Sequence, residues 1–72
     1  MTWENEIFQV FPVGAEMTVP DIAGSISGLH PNYPASTVRS KIYNVLNKNT
    51  YYGIIEKLGI NENGSRLWRR LK

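Results

Sequence analysis

The sequence contains no cysteine, and it has only one histidine, His30, and one aspartate, Asp21. Without cysteine, neither a disulfide framework nor a Cys-ligated metal can stabilise the chain. A His-based metal site or a Ser–His–Asp relay needs more members than these. Glu4 and Glu6 lie in the first turns of a predicted helix and complement its dipole, so we interpret them as structural. We therefore expect no enzyme activity, no metal and no cofactor.

Long hydrophobic runs are also missing. No apolar stretch approaches the ~20 residues that a membrane span needs. The first residues include Trp3 and two glutamates in place of a basic segment followed by an apolar one, so no secretory signal is visible. We expect a cytoplasmic protein without a membrane partner. The length of 72 residues and the hydrophobic content of 42% predict one globular domain that spans residues 1–72.

Positive charge is absent from the first half of the chain. Residues 1–38 contain four carboxylates and no lysine or arginine, whereas residues 39–72 contain all eight basic residues and two carboxylates. Contacts between cations and phosphates supply most non-specific affinity for nucleic acids. We therefore expect the basic residues to gather on one surface that faces a polyanion. Solubility is the other explanation for this asymmetry.

Two short helices are predicted in the first half. The first follows an N-cap at Thr2 and spans residues 3–11, because the next residue is a proline. A short extended stretch at residues 16–19 leads to the second helix, at about residues 20–27, which opens with a proline. Gly28 is the expected stop of this helix. A proline-rich turn that contains His30 follows.

The third predicted helix spans residues 34–47 and organises the rest of the chain. Its apolar residues recur at the spacing of one buried stripe; they are Val38, Ile42, Val45 and Leu46. The opposite side carries small polar residues, namely Ser36, Ser40, Asn44 and Asn47, with Arg39 and Lys41 on its flanks. Such a face suits a groove that has base edges on its floor and phosphates along its walls. A solvated helix surface is the alternative interpretation.

Residues 51–58 fit two structures. Apolar spacing with a following glycine is compatible with a fourth helix. β-branched and aromatic residues, followed by Asn63-Gly64, favour a strand that enters a hairpin with residues 65–72. We prefer the hairpin, in which a two-residue turn would place Ile60 opposite Leu67.

The same two-residue turn would place Lys57 opposite Arg70, and Trp68 would share the outer face of the hairpin with these cations. A longer loop would shift the register and bury Trp68. We favour a mostly buried Trp68, because a large aromatic side chain more often belongs to the core than to a contact surface.

Several local motifs resemble the winged helix-turn-helix family, and together they span nearly the whole chain. Residues 17–23, Met-Thr-Val-Pro-Asp-Ile-Ala, are similar to the family's short strand and the start of its second helix. Ser36-Thr37-Val38, with Ile42 and Leu46, is similar to its recognition helix. Residues 53–57, Gly-Ile-Ile-Glu-Lys, resemble the segment that leads into the wing.

The resemblance implies an α+β fold with three helices, a short first strand and a C-terminal two-stranded wing. It also implies binding to double-stranded DNA, with the third helix in the major groove and the wing at the backbone. The residues expected to approach base edges are Ser36, Thr37, Ser40 and Asn44, with Arg39 reaching guanine or phosphate. The residues expected to hold phosphates are Lys41, Asn63, Arg66 and Arg70. Tyr33 is a further candidate for a phosphate contact, against the simpler expectation that it packs on Leu29.

A protein-interaction adaptor on the same scaffold is the alternative function, because a fold does not determine a function. The uncharged outer face of the third helix and the acidic first half favour it. Aromatic residues that tend to be exposed in such a chain, namely Phe8, Tyr33, Tyr43 and Trp68, are its candidate contacts. The sequence leaves open whether a protein partner or a second copy of the chain also binds.

Overall fold

The structure of the protein is a computed structural model that describes residues 2–72. Its helices and strands follow in the order α1 (Trp3–Val10), β1 (Glu16–Thr18), α2 (Val19–Ile26), α3 (Ala35–Tyr51), β2 (Ile55–Ile60) and β3 (Arg66–Arg70). The strands form one antiparallel sheet in the order β1-β3-β2. The predicted α+β class, with three helices and a short first strand, is confirmed for the described residues.

All three helices and the C-terminal hairpin contribute to one hydrophobic core. Its buried residues are Ile7, Phe11, Val19, Ile22, Ile26, Val38, Ile42, Leu46, Ile55 and Trp68. Burial of a side chain of this size stabilises the fold by about 1.5–3 kcal/mol relative to exposure. No helix within residues 2–72 has the length and apolar character needed to cross a membrane.

Both short helices begin with a threonine cap, and the cap at Thr2 is the one that was predicted. The Thr2 hydroxyl accepts the Asn5 N–H at 3.2 Å, so Thr2 is the N-cap of α1. At α2, the Thr18 hydroxyl accepts the Asp21 N–H, and the Asp21 carboxylate accepts the Thr18 N–H in return. This reciprocal capping box satisfies two N–H groups that a helix start leaves unpaired. The predicted stop at Gly28 was wrong, because the chain continues from α2 into a 3₁₀ turn at Ser27–Leu29.

Helix α3 extends four residues beyond its predicted end. The side chain of Asn49, only 2% exposed, donates to the Val45 carbonyl at 2.8 Å, and the Thr50 hydroxyl donates to the Leu46 carbonyl at 2.7 Å. These polar side chains bond back to the preceding turn, so their polar groups are satisfied inside the helix that we expected them to end. The helix ends at Tyr51, and Gly53, just beyond the C-cap Tyr52, has a φ of 76° in the left-handed region.

Of residues 51–58, for which a strand was preferred over a fourth helix, 55–58 do form a strand, whereas Tyr51 still belongs to α3. Of the two hairpin alternatives, the longer loop is the one observed. The loop spans residues 61–65, where the Asn61 N–H donates to the Ser65 carbonyl at 2.8 Å and the Gly64 N–H donates to the Asn61 carbonyl at 3.0 Å. Gly64 has a φ of 82°, which accounts for glycine at this position.

The longer loop changes the register, so the pairs that a two-residue turn would give do not form. Lys57 lies opposite Trp68 and Ile60 lies opposite Arg66, with an irregularity between the two pairs. Ile60 is 61% exposed, while Trp68 is fully buried. The preference for a buried Trp68 is therefore confirmed.

Candidate functional site

The exposed side of α3 carries most of the polar residues that the sequence singled out. Ser36, Ser40 and Asn44 are exposed, and Thr37 is half-buried at the edge of this face. Lys41 is exposed as well, and the helical period places it on the flank away from Arg39. These side chains form a face of short hydrogen-bonding groups.

Two adjoining grooves lie between α3 and the β2–β3 hairpin. The hairpin groove, about 260 Å³ in volume, is lined in part by Asn47, Lys57 and Trp68. The Arg39 groove, about 230 Å³, is lined in part by Arg39 and by the start of α2. The residues that line both grooves are Tyr43, Gly64 and Arg66. The two grooves therefore form one depression along the side of α3.

Three cations line this depression: Arg39, Lys57 and Arg66. The Lys57 ammonium lies 5.5 Å from the centroid of the Trp68 ring, and an Arg66 N–H donates to the Leu58 carbonyl at 2.7 Å. Among the described residues, none of the three forms an ion pair, and no carboxylate lines either groove. Their positive charge is therefore not neutralised by the protein itself.

Other basic side chains are neutralised by neighbouring carboxylates. Lys48 pairs with Glu4 at 3.4 Å. Arg69 pairs with Glu16 at 2.7 Å and with Glu56 at 3.1 Å. The hydrogen bond and the negative charge of Glu16, aided by Glu56, raise the pKa of Arg69 above its usual value. The cations of the second half thus do not all join the surface beside α3.

Arg70, expected to hold a phosphate, binds the protein itself. Its Nη1 donates to the carbonyls of Phe8 at 3.0 Å and Phe11 at 2.8 Å, and its Nε donates to the Lys72 carbonyl at 2.9 Å. The guanidinium also lies 4.7 Å from the centroid of the Phe8 ring. Arg70 thereby closes the C-terminal end of α1, where carbonyls lack helical partners, and we leave it out of the candidate interface.

Tyr33 and Asn63 lie outside both grooves. The Tyr33 ring contacts the rings of Trp3 and His30 edge-on, with centroids 5.6 and 5.7 Å apart, whereas Leu29 is largely exposed. Asn63 is exposed in the hairpin loop, and its backbone N–H donates to the Asn61 side chain.

His30 and Glu6 form a contact that the sequence did not suggest. Glu6, expected only to complement the dipole of α1, is buried, and its carboxylate lies 2.6 Å from His30 Nε2. The His30 ring also stacks on Trp3, with centroids 3.8 Å apart. Since 24 residues separate the partners, no local pattern signals this link between α1 and the turn before α3.

Among the groove residues that sequence reasoning left out of the site are Tyr43, Asn47 and Lys57. Tyr43 and Asn47 follow Arg39 at intervals of four, so they extend one helix flank beside the hairpin. That spacing was a usable signal, whereas the position of Lys57 depended on the hairpin register. Within residues 2–72, no three His, Asp or Glu side chains converge as a metal site would require.

A scan against protein-family models found no matching family, and a search of curated proteins found no significant match.

Proposed function

We propose that this chain is a double-stranded DNA-binding domain of the winged helix-turn-helix type, acting as a small transcriptional or mobile-element regulator. The observation that carries this proposal is the set of unpaired cations, Arg39, Lys57 and Arg66, beside the exposed polar face of α3. The order of the elements and the position of the β2–β3 hairpin next to α3 support it. In this proposal the hairpin is the wing.

The shape and chemistry of α3 suit the major groove of DNA. At 17 residues it is roughly 25 Å long, and the major groove admits an α-helix. In this proposal Ser40 and Asn44, which are exposed on α3, approach base edges, and the amide of Asn44 is suited to adenine. Short polar side chains on this face allow the helix to approach the bases closely.

The cations provide the backbone contacts in this arrangement. Arg39, Lys57 and Arg66 flank α3 on the hairpin side, and Lys41 lies on the opposite flank. Two strands of phosphates border a DNA groove, so cations on both sides of an inserted helix fix its position. Their contacts supply affinity that weakens as salt concentration rises.

A second candidate function is protein binding without DNA. Tyr51 is 85% exposed and lies edge-on against Tyr52, with ring centroids 5.2 Å apart, at the end of α3. Tyrosine is enriched at protein interfaces because its ring is apolar and its hydroxyl can still form a hydrogen bond. This exposed pair is the observation that favours an adaptor.

Titration with random-sequence duplex DNA at low and moderate salt tests the first proposal against the second. We expect binding that weakens with salt, together with NMR shifts of the backbone amides of Ser40, Asn44 and Gly64. Absence of binding at low salt would refute the DNA proposal. Shifts confined to the Tyr51–Tyr52 end of α3 would refute the proposed docking face.

A further inference from the structure

We propose that the hairpin groove is a binding site for a phosphate group, held by Lys57, Arg66 and Asn47 over the Trp68 ring. The phosphate belongs either to a nucleic-acid strand or to a free nucleotide, since both present the same chemistry. The inference rests on the proposed function only where a DNA strand supplies the phosphate.

The electrostatics of the groove favour an anion. Lys57 and Arg66 both line it, and neither forms an ion pair with a carboxylate of the described chain. An anion between two such cations gains attraction from both, and it reduces their mutual repulsion. The side-chain amide of Asn47 adds a neutral hydrogen-bond donor at the same groove.

Trp68 supplies an unsatisfied donor beside this charge. Its Nε1 is buried and has no hydrogen-bond partner among the described residues, although the side chain lines the groove. A buried donor without an acceptor costs about 1–3 kcal/mol. In this proposal a phosphate oxygen in the groove provides the missing acceptor, since Trp68 and Lys57 both line it.

Tyr43 makes a nucleotide a better ligand than phosphate alone. Its ring is partly exposed, meets the Trp68 ring edge-on with centroids 6.2 Å apart, and lines both grooves. An exposed aromatic ring next to cations is the arrangement on which proteins stack single bases while they hold the adjoining phosphate. The base of a nucleotide can therefore contact Tyr43 while its phosphate occupies the hairpin groove.

The two tryptophans of the chain allow a direct test, because Trp68 lines the groove and Trp3 stacks on His30 outside it. Each gives one indole N–H signal in an NMR spectrum. Titrations with inorganic phosphate, with adenosine monophosphate and with a short duplex, at constant ionic strength, should move the Trp68 signal saturably and leave the Trp3 signal in place. Adenosine monophosphate should bind more tightly than phosphate.

Two matched lysine variants locate the site. Lys57→Gln should weaken phosphate and nucleotide binding about fivefold or more, because it removes one charged contact. Lys48→Gln, which alters a lysine that pairs with Glu4 outside the groove, should bind as the unmodified protein does. Equal losses in the two variants would refute the site, as would a Trp68 signal that none of the ligands moves.

The outcomes also separate this inference from the DNA proposal. Duplex-induced shifts at Ser40 and Asn44 without a shift of Trp68 would refute the phosphate site and leave DNA binding supported. A Trp68 shift with adenosine monophosphate alone, and no duplex binding, would support a free-nucleotide site and refute the proposed function. If the duplex shifts both the Trp68 signal and the amides of Ser40 and Asn44, a DNA strand is the source of the phosphate.

Discussion

Arg69 and Arg70 are neighbours in β3, and their side chains point to opposite faces of the sheet because side chains alternate along a strand. Arg69 bridges Glu16 of β1 and Glu56 of β2, so it links both edge strands through exposed ion pairs. Arg70 points towards α1 and binds carbonyls at the end of that helix. Two adjacent arginines therefore have unrelated roles: Arg69 forms ion pairs across the sheet, and Arg70 binds helix carbonyls.

The role of Arg70 leads to a prediction about stability. Arg70→Met keeps the apolar stem and removes the donors to the Phe8 and Phe11 carbonyls. We expect the free energy of unfolding to fall by about 1–3 kcal/mol, because two partly buried charge-assisted hydrogen bonds are lost. Urea denaturation followed by circular dichroism measures this change.

Arg69→Met is the control, and we expect a smaller effect because its ion pairs are exposed. The folded Arg70→Met protein should retain its affinity for duplex DNA. If Arg70→Met left stability unchanged and weakened DNA binding, the structural role would be contradicted, and Arg70 would contact phosphate as expected from the sequence.

The C-terminal end of α3 illustrates how a single element is terminated. The Ile54 N–H donates to the Asn49 carbonyl at 2.9 Å, and the Gly53 N–H donates to the Thr50 carbonyl at 3.1 Å. This pair of bonds is a Schellman motif, which satisfies carbonyls at the helix end and requires a left-handed residue, here Gly53. The motif directs the chain from α3 into β2.

Two glycine-to-alanine changes should therefore have opposite effects. At Gly53, where φ is 76°, alanine should lower the free energy of unfolding by about 1 kcal/mol, because L residues are strained in the left-handed region. At Gly24, inside α2, nothing lies within 4 Å of an added Cβ. Alanine there should raise the free energy of unfolding by about 0.5–1 kcal/mol, because it favours the helix more than glycine does. Thermal or urea unfolding of both variants tests the pair; a stabilising Gly53→Ala would contradict the assigned end of α3.

At the scale of the whole molecule, the fold sorts the basic residues into paired and unpaired groups. Lys48 and Arg69 lie next to carboxylates, whereas Arg39, Lys57 and Arg66 meet beside α3. The formal net charge of +2 does not reveal this distribution. A polyanion is attracted mainly by the unpaired cations, because the charges of an ion pair largely cancel at a distance.

This sorting predicts how salt should affect DNA binding. Arg39→Ala and Arg66→Ala should each weaken duplex binding and reduce the slope of log affinity against log salt by about 1, as loss of one phosphate contact does. Lys48→Ala should leave the slope nearly unchanged because its ammonium already has Glu4 as a partner. Fluorescence anisotropy at four or five salt concentrations measures the slopes; equal slopes in all three variants would remove Arg39 and Arg66 from the interface.

The parts of the fold that the sequence predicted well depend on neighbouring residues. The N-cap Thr2, the buried stripe of α3 and the strand after Gly53 all follow from spacing and local hydrogen bonding. Helix ends were predicted less well, because Asn49 and Thr50 can either break a helix or bond back to it. Of the candidate site, the exposed face of α3 was predictable from the helical period alone.

The sequence by itself determined which residues are apolar at helical or strand spacing, and hence the order of elements and most of the core, because those signals act over a few positions. Only the tertiary structure decided which cations remain unpaired and which residue of β2 lies opposite Trp68. Arg70 reaches partners 59 and 62 positions away, and His30 lies 24 positions from Glu6. Such pairings depend on how the helices and the hairpin pack and on the length of one loop, and a change of loop length moves every cross-strand partner.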